Sequence, residues 1–312
     1  MENEPIEVLV IGGANFDYAI KGPRLPEPGS TVVGDTMHEA PGGKGANQAV
    51  AVSRLDGNVA FIGRVGADAR GRGILAKLSD EAVDTGYCVI DGEAETGVAV
   101  IMIDGKGQKS IMTAPGANLR LGPEDIERAR PLFGHLKVVL LQLEVGLPVT
   151  IAAAKLGRAG KAMVVLDAGP PIELPDELLG SLDVVRANEN EASVITGVEV
   201  KDVNSARKAG HELRRRGVGA ACIATKGGNL LVFGSDELWL PHQNVESVDA
   251  TGAGDAFVAG IAVGLAENRS LSEAAWLGNV ASALKTTRVG AQAGLPRRED
   301  VDSFLATIKR DD

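Results

Sequence analysis

The sequence predicts an α/β fold in which a central, mostly parallel β-sheet is flanked by helices on both faces. Continuous apolar runs of strand length alternate along the chain with segments of helical period, which is typical of buried parallel strands joined by helices. Glycine makes up 40 of the 312 residues, well above the usual share of about 7%. Such an excess indicates many tight junctions between strands and helices.

The strands and helices of this pattern can be assigned in chain order. Strand-like runs occupy residues 7–13, 59–66, 137–145, 161–169, 183–188, 219–225 and 230–234. Segments of helical period occupy residues 47–55, 148–160, 204–217 and 255–268. The last of these is apolar on nearly every side, so we expect it to be deeply buried.

Two segments interrupt the alternation and predict a small β-layer beside the main sheet. Residues 17–43 are rich in proline and glycine, and residues 96–118 are typical of a hairpin around Asp104-Gly105-Lys106-Gly107. Neither fits a strand–helix–strand unit, so we expect them to pair at one edge of a single α/β domain spanning residues 1–312. This layer is either a lid over a site or an inserted structural flap.

Charge and cysteine usage narrow the class of protein. The net charge of −10 and the pI near 5.1 disfavour nucleic acid or an anionic membrane as a partner, since either requires a basic face. Cys88 and Cys222 lie in apolar runs, which predicts buried, reduced thiols. No apolar run approaches the ~20 residues of a membrane span, and the first ten residues lack the basic start of a signal peptide. We therefore expect a cytoplasmic protein.

Polar residues follow five of the strand-like runs at the points where the strands end. In open α/β sheets the carboxyl ends of parallel strands meet at one edge, and ligands bind there. One such residue could be only a helix cap, but a set that converges on one edge favours a site. These residues are Asn15, Asp17, Glu144, Asp167, Asn188 and Thr225.

The stretch Gly252-Ala253-Gly254-Asp255 lies where the most apolar helix begins. Free N–H groups at a helix start form an anion site, and glycine lets a ligand approach the backbone closely. The stretch therefore indicates a cradle for a phosphate or a developing anion. The alternative is a helix capped by a threonine or aspartate, with small residues for close packing.

Two familiar nucleotide-binding motifs are missing. The segment "PGGKGANQA" (41–49) lacks the G-x-x-x-x-G-K-[ST] spacing of a P-loop, and "VIGGANFD" (10–17) lacks the G-x-G-x-x-G dinucleotide fingerprint. These observations argue against a P-loop enzyme and a dehydrogenase.

Two longer stretches, "PGGKGANQA" and "DATGAGDAF" (249–257), carry a resemblance to a known family. The chain resembles the ribokinase branch of the PfkB carbohydrate kinase family from about Val8 to Arg298. The resemblance implies a ribokinase-like fold and an ATP-dependent sugar kinase that acts on D-ribose, with Mg²⁺ and K⁺. It also implies that Asp255 is the catalytic base and that the amides of Gly252, Ala253 and Gly254 form an anion hole for the transferred phosphoryl group.

Further site residues are implied by the same resemblance. The sugar-binding positions are Asn15, Asp17, Gly42, Gly43, Lys44, Asn47 and Glu144, together with Asp255. The ATP-binding positions are Asn188, Glu191, Thr225, Lys226, Gly227, Gly228, Gly254 and Asn279. The family commonly has a further glycine where this chain has Leu230, so the loop around Thr225 departs from the family pattern. A helix cap is the alternative role for Asn47.

A monovalent-cation site is also implied by the resemblance. Its ligands would come from Asp249 and Thr251 and from the loop that contains Arg288, Gly290 and Gly294. Carbonyl-rich coordination suits K⁺, and we expect activation by this ion. Gly294 stands where the family often has a serine. The alternative is that Asp249 only caps the helix or braces the turn.

The remaining expectations concern partners and rival functions. The resemblance implies a homodimer that pairs through the lid, whose exposed apolar residues would need cover. Rival substrates are deoxyribose, fructose and adenosine. A rival of another class is a non-catalytic sugar-binding regulator, for which Asp255 and the anion cradle would have no purpose.

Overall fold

A computed structural model describes residues 5–308 of the protein as alternating strands and helices. In chain order the strands are β1 (Val8–Ile11), β2 (Asn15–Lys21), β3 (Thr36–Gly42), β4 (Val59–Ile62), β5 (Arg64–Gly66), β6 (Val89–Asp91), β7 (Gly97–Ile103), β8 (Lys109–Ala114), β9 (Val138–Leu141), β10 (Met163–Asp167), β11 (Val184–Ala187), β12 (Ala220–Thr225), β13 (Gly228–Phe233) and β14 (Asp236–Pro241). The α-helices are α1 (Lys44–Arg54), α2 (Ala69–Asp80), α3 (Pro123–Arg128), α4 (Leu147–Ala159), α5 (Asp176–Leu179), α6 (Glu189–Thr196), α7 (Val203–Arg215), α8 (Ala253–Ala266), α9 (Leu271–Thr286) and α10 (Arg298–Leu305). Each strand and helix assigned from the sequence coincides with at least one of these elements.

Eight strands form the main sheet, in the order β14-β13-β12-β11-β10-β9-β1-β4. From β12 to β4 all neighbours run parallel, and β13 and β14 are added antiparallel. Strand β1, next to the edge strand β4, aligns Val10 with Phe61 of β4 and with Leu140 of β9. The mostly parallel sheet predicted from the sequence is confirmed, and the parallel strands end at one common edge.

Helices cover both faces of this sheet. Val8 and Val10 of β1 belong to a core with residues of α1, α2, α8, α9 and α10. Leu9 and Ile11, which alternate with them, belong to a second core with residues of α3 to α7. The strands are therefore buried on both sides, which explains their unbroken apolar runs. Helix α8 is buried along nearly its whole length, as predicted.

The two irregular segments form a separate four-stranded sheet, in the order β3-β2-β7-β8. Strands β2 and β3 pair antiparallel, β2 and β7 parallel, and β7 and β8 form the predicted hairpin, with Ile101 opposite Ile111. The expected small β-layer is therefore confirmed. Two further short strands, β5 and β6, pair parallel with each other.

Among the elements that were not assigned from the sequence are the helices α2, α3, α5, α6, α9 and α10 and the strand β14. Helix α2 contains two glycines, and its start is fixed by Asp68, whose Oδ1 accepts a hydrogen bond from Gly71 N (2.8 Å). Helix α9 begins at a capping box in which Glu273 Oε2 accepts from Ser270 N (2.9 Å). Capping and tertiary packing thus stabilise helices whose apolar pattern is weak.

Glycines let α8 and α9 pack with their backbones in contact. A Cβ on Gly260 would lie 2.5 Å from Cα of Gly278, and a Cβ on Gly278 would lie 2.4 Å from the carbonyl oxygen of Phe257. Side chains do not fit at such distances. The close packing brings the end of α9 beside the loop that enters α8, where Val248 N donates to Thr286 O (2.8 Å).

Substituting Gly278→Ala should destabilise the protein, because the added methyl group meets backbone that cannot move aside. We expect a loss of about 1–3 kcal/mol in the free energy of unfolding, measured by urea denaturation. Gly92→Ala is the matched control, since a Cβ at Gly92 meets no atom within 4 Å. Equal unfolding midpoints for the two variants would contradict this account of the helix contact.

Candidate active site

Helix α1 begins directly against the end of β1. Its N-cap, Gly43, has φ = 89°, and a Cβ there would lie 2.6 Å from Asn15 N. A Cβ on Gly45 would lie 2.8 Å from the carbonyl carbon of Gly12. Glycine is therefore required at these positions, both for the positive φ of Gly43 and for the close approach of Gly45. The first turns of α1 are thereby held at the carboxyl edge of the main sheet.

The carboxylate of Asp255 is buried at this edge, in the first turn of α8. Only 5% of the residue is exposed. Asn47 Nδ2 donates to its Oδ2 (3.1 Å) and Gln48 Nε2 donates to its Oδ1 (3.0 Å). Asn47 therefore lies inside α1 and does not cap it, so the alternative role considered for Asn47 is wrong.

Burial raises the pKa of Asp255, whereas the charge of Lys44 and the bonds from Gln48 and Asn47 oppose the increase. Each carboxylate oxygen accepts one side-chain hydrogen bond and keeps a lone pair for a further donor. The group can therefore accept a proton from a hydroxyl placed beside it.

The start of α8 has the form of an anion site, with one correction. The N-cap is Gly252, with φ = 84° and no side-chain cap, so the alternative of a Thr- or Asp-capped helix is wrong. The N–H of Ala253 donates to Ala250 O (3.1 Å), so it is not available in the predicted anion hole. Among the described residues, the N–H groups of Gly252, Gly254 and Asp255 have no hydrogen-bond partner.

Two further carboxylates face Asp255. The backbone N–H of Lys44 donates to Glu144 Oε2 (2.8 Å), and a Cβ on Gly42 would lie 2.1 Å from Asp17 Oδ2. Burial, with the charges of Glu144 and Asp255, raises the pKa of Asp17 to about 7. Burial also raises the pKa of Glu144 to about 7, although Lys44 lowers it. Carboxylates grouped in this way suit a ligand that brings several hydroxyl donors.

Asparagine side chains complete this part of the site. Asn118 Nδ2 donates to Asn15 Oδ1 (2.8 Å). The same side chain also donates to Ala14 O and accepts from Ala14 N. This fixes the Asn15 amide. The buried Oδ1 of Asn47 has no partner within residues 5–308. An orphaned buried acceptor points to a hydrogen bond that a ligand supplies.

A cluster of charges around the buried Asp167 lies between Asp255 and the next strands. Asp167 accepts from Lys44 Nζ (2.8 Å) and Gln48 Nε2 (3.2 Å) at Oδ2, and from Arg186 Nη1 (3.2 Å) at Oδ1. Burial alone would raise the pKa of Asp167, but the charges of Lys44 and Arg186 outweigh it and lower the pKa. The Lys44 ammonium is thus directed to Asp167, and its backbone N–H orients Glu144.

Arg186 and Gln48 are site residues that the sequence did not disclose. Arg186 lies in β11, and a Cβ on Gly254 would be 2.8 Å from its Nη1, so the guanidinium adjoins the start of α8. Its buried Nε has no partner among the described residues. A single arginine in an otherwise apolar strand, "DVVRAN" (183–188), was the available signal.

The predicted ATP-binding residues occupy the neighbouring strand ends. Asn188 and Glu191 form the capping box of α6: Glu191 N donates to Asn188 Oδ1 (2.9 Å) and Asn188 N donates to Glu191 Oε2 (2.7 Å). A Cβ on Gly169 would lie 2.6 Å from Glu191 Oε1, so this oxygen faces the charge cluster. Burial and the charge of Asp167 raise the pKa of Glu191.

The segment Thr225–Gly228 is the turn between β12 and β13. Thr225 Oγ1 donates to Gly228 O (3.0 Å), and the ring of Trp239 lies against the turn. Asn279 is buried behind it: its Nδ2 donates to Pro241 O (2.9 Å) and its Oδ1 accepts from Asn229 Nδ2 (3.1 Å). Asn279 therefore braces the hairpin, and Lys226 and Gly227 form its exposed tip.

The predicted K⁺ site requires correction, because an ammonium group lies on its ligands. Lys285 Nζ donates to the carbonyl oxygens of Asp249 and Arg288, both at 2.9 Å. The Asp249 carboxylate accepts from Thr251 N (3.0 Å) and Gly290 N (2.9 Å), which is the turn-bracing role given as the alternative. The residues therefore do not fit a bound K⁺. Within the described chain, no three His, Cys, Asp or Glu side chains are grouped to hold a metal.

Comparison with known proteins assigns the family. Residues 6–298 match the model of the pfkB family carbohydrate kinases. The chain belongs to this family. It is 35% identical over 300 residues to the ribokinase of Haemophilus influenzae, covering 96% of this chain and 98% of that protein. It is 30% identical over 304 residues to a deoxyribokinase of Salmonella typhi, covering 96% and 99%.

A solved pfkB-type structure has the same fold. The structure of Arabidopsis thaliana ribokinase complexed with ribose and ATP matches this chain with a TM-score of 0.90 and 32% identity, covering 97% of this chain and 99% of that one. The predicted ribokinase-like α/β fold is thus confirmed. As a pfkB family carbohydrate kinase, the protein is a phosphotransferase that acts on a sugar hydroxyl. No helix within residues 5–308 is long and apolar enough to span a membrane.

The raised pKa values predict an unusual titration in the free protein. Asp17 and Glu144 should both titrate near pH 7, about three units above ordinary carboxyls; ¹³C NMR of the side-chain carboxyls measures this. In Glu144→Gln the pKa of Asp17 should fall, because one like charge is removed. Glu81→Gln, which removes a carboxylate paired with Arg54 instead, should leave it unchanged. Titration of both groups near pH 4 would contradict the arrangement.

Proposed function

We propose that this protein is an ATP-dependent kinase that phosphorylates the primary hydroxyl of D-ribose, giving ribose 5-phosphate and ADP. The observation that carries the proposal is the position of Asp255. This buried carboxylate lies in the first turn of α8, beside the unpartnered N–H groups of Gly252 and Gly254, and two further carboxylates face it. A base, an anion site and a hydroxyl-binding surface thus meet at one point.

The proposed step is an in-line phosphoryl transfer. An Asp255 oxygen accepts the proton of the sugar's primary hydroxyl, and that hydroxyl oxygen forms the new bond to the γ-phosphorus. The bond between the γ-phosphorus and the β–γ bridging oxygen breaks, and its electron pair leaves with ADP. Asn47 and Gln48 hold the carboxylate in place throughout, since each donates to one of its oxygens.

Stabilisation of the transferred charge comes from groups at the start of α8. The free N–H groups of Gly252 and Gly254 are placed to meet the equatorial oxygens of the phosphoryl group. The Arg186 guanidinium adjoins Gly254 and retains an unpartnered Nε, which makes it a further phosphate ligand. The ammonium of Lys44, paired with Asp167, adds positive charge near Asp255.

The sugar is proposed to lie between the small sheet and the main sheet. Asp17 and Glu144 accept hydrogen bonds from its hydroxyl groups, and the side chains of Asn15 and Asn47 supply an amide donor and the orphaned buried acceptor. Gly42 and Gly43 keep the backbone close to the ring. Ribose is placed first because ribokinases recur among the relatives, including one solved with ribose and ATP. The deoxyribokinase relative makes deoxyribose the second candidate.

The nucleotide is proposed to extend over the ends of β11 and β12. Asn188 and Glu191 lie on the phosphate side, and Gly227 and Gly228, with Asn279 behind them, form the surface for the base and its sugar. Mg²⁺ brought with ATP would neutralise phosphate charge and prefers carboxylate oxygens. Glu191 could hold this ion through Oε1, which faces the charge cluster, because its other oxygen, Oε2, accepts from Asn188 N.

The small sheet is proposed to act as a lid and as a dimer contact. Lys109, at the start of β8, donates to Asp249 Oδ1 (3.1 Å) and to Thr251 Oγ1, so this sheet already contacts the loop that enters α8. The small sheet exposes apolar side chains on both faces, including Met37, Ile111 and Met112 at 60%, 61% and 74%. A second copy of the chain would cover them. Two free thiols, Cys88 and Cys222, support a reducing, cytoplasmic location.

Asp255→Asn should reduce kcat by roughly 10²–10⁴-fold, because the amide fits the same space but cannot take the proton. Coupled ADP release with ribose, deoxyribose, fructose and adenosine as acceptors measures both the loss and the preferred substrate. Circular dichroism checks that the variant is folded.

Asp104→Asn is a control of the same chemistry in the β7–β8 turn, where the side chain only accepts backbone N–H bonds. A near-normal kcat in Asp255→Asn would exclude this residue as the base. ADP release that no acceptor stimulates would exclude the sugar kinase itself.

A further inference from the structure

The ammonium group of Lys285 is buried among backbone carbonyls. None of the side chain is exposed, and Nζ donates to Asp249 O and Arg288 O at 2.9 Å each. The Asp249 carboxylate lies 4.0 Å from the same nitrogen. Lys285 is in the last turn of α9, where a positive charge is also favoured by the helix dipole.

Two of these partners, Asp249 and Arg288, are residues that were expected to bind a monovalent cation. An alkylammonium carries the same charge as K⁺ and, like it, is satisfied by several carbonyl oxygens. We propose that the Lys285 ammonium is a built-in substitute for an activating monovalent cation, so that this protein needs no K⁺. This inference rests on the proposed function, since the loop concerned carries the anion site.

Gly294 provides independent support for this substitution. A Cβ at Gly294 would lie 2.8 Å from both Arg288 O and Gly290 O and 3.0 Å from Lys285 Cε. A side chain at this position would therefore displace the lysine or the carbonyls. The absence of a side chain at 294 and the presence of a lysine at 285 form a matched pair, in which the glycine leaves room for the aliphatic chain.

The position of Lys285 explains how it would act on the reaction without touching the substrates. By joining Asp249 to Arg288, it fixes the loop that enters α8 against the loop that follows α9. The second loop lies directly behind the anion site, because a Cβ on Gly252 would be 3.2 Å from Ala291 O. Lys285 is therefore a positioning residue that holds the N–H groups of Gly252 and Gly254 in place.

The first test is the cation dependence of the wild-type protein. ADP release with ribose is measured in KCl and in tetramethylammonium chloride at equal ionic strength. We expect kcat and the KM for ATP to change by less than about twofold, because screening is matched and the charge is already present. Strong activation of the wild type by K⁺ would overturn the proposal.

The second test creates a need for the cation. Lys285→Ala opens the space, and we expect kcat to fall by about 10²-fold without K⁺, as when anion-site donors are misplaced. Added K⁺ should bind in the opened space and raise the kcat of this variant by at least about tenfold. Lys285→Met fills the space with an uncharged chain and should be impaired in both buffers. If Lys285→Ala is folded but K⁺ does not restore its kcat, Lys285 has only a structural role and the proposal is wrong.

Lys137→Ala is the matched control, because the Lys137 ammonium donates to Ala266 O (2.7 Å) at the opposite end of α8. It should show no cation-specific rescue. Gly294→Ser should impair the wild type but have a smaller effect in the Lys285→Ala background with K⁺, where the space is free. Additive effects of the two substitutions would contradict the matched pair.

Thermal melting separates this inference from the proposed function, since it requires no turnover. K⁺ should raise the melting temperature of Lys285→Ala by about 2 °C or more relative to tetramethylammonium, and that of the wild type not at all. If no acceptor supports turnover but this difference is observed, the proposed function fails and the substitution stands. If turnover is normal but K⁺ stabilises both proteins equally, the substitution fails alone.

Discussion

The hydrogen bonds from Asn47 and Gln48 of α1 to the carboxylate of Asp255 on α8 hold the two helix starts of the site together. They form only because α1 begins in backbone contact with β1, at glycines that leave no space for a Cβ. Gln48 also reaches Asp167 and accepts from the buried Gln142 (Nε2 to Oε1, 2.6 Å). A single amide thereby connects the base, the charge cluster and the core of the sheet. If α1 moved, the base would lose both donors, and the free N–H groups of α8 would no longer face the same point as the sugar-binding carboxylates.

Charge is concentrated at this edge in a way that a stable core alone would not require. Asp167 and Glu191 are buried and lie with the half-buried Lys44 and Arg186, so two acidic and two basic groups are grouped together. Burying such groups is unfavourable unless each has partners, and the partners here leave defined gaps: Arg186 Nε and Glu191 Oε1. On the sugar side, burial and the charges of Glu144 and Asp255 raise the pKa of Asp17, and burial with the charge of Asp255 raises the pKa of Glu144. A polyhydroxylated ligand and a triphosphate would supply what each half of the site lacks.

The sequence predicts the strands and helices of the fold well, but it predicts poorly which side chains contact each other in the site. Buried parallel strands have unbroken apolar runs, so β1, β9 and β10 and the glycine-rich start of α8 could be assigned from local pattern. The contacts between side chains of the site could not be assigned in this way. Arg186 and Lys285 each lie among apolar or small residues in the sequence, and their roles depend on partners distant in the chain, Asp167 and Asp249. The error on Ala253 has a local origin, because its N–H donates to Ala250 O in a tight turn that the residue pattern does not reveal. The K⁺ ligands were assigned from family resemblance, which does not show that a neighbouring helix supplies an ammonium group.

The central claim is that Asp255 takes the proton of the sugar hydroxyl at a phosphate held by the start of α8. The most direct measurement is a crystal structure of the protein with ribose and a non-hydrolysable ATP analogue. The account predicts the primary hydroxyl oxygen within hydrogen-bond distance of an Asp255 oxygen and in line with the γ-phosphorus. It also predicts a γ-phosphate oxygen against the N–H groups of Gly252 and Gly254. A complex in which the primary hydroxyl lies away from Asp255, or the γ-phosphate away from α8, would contradict it.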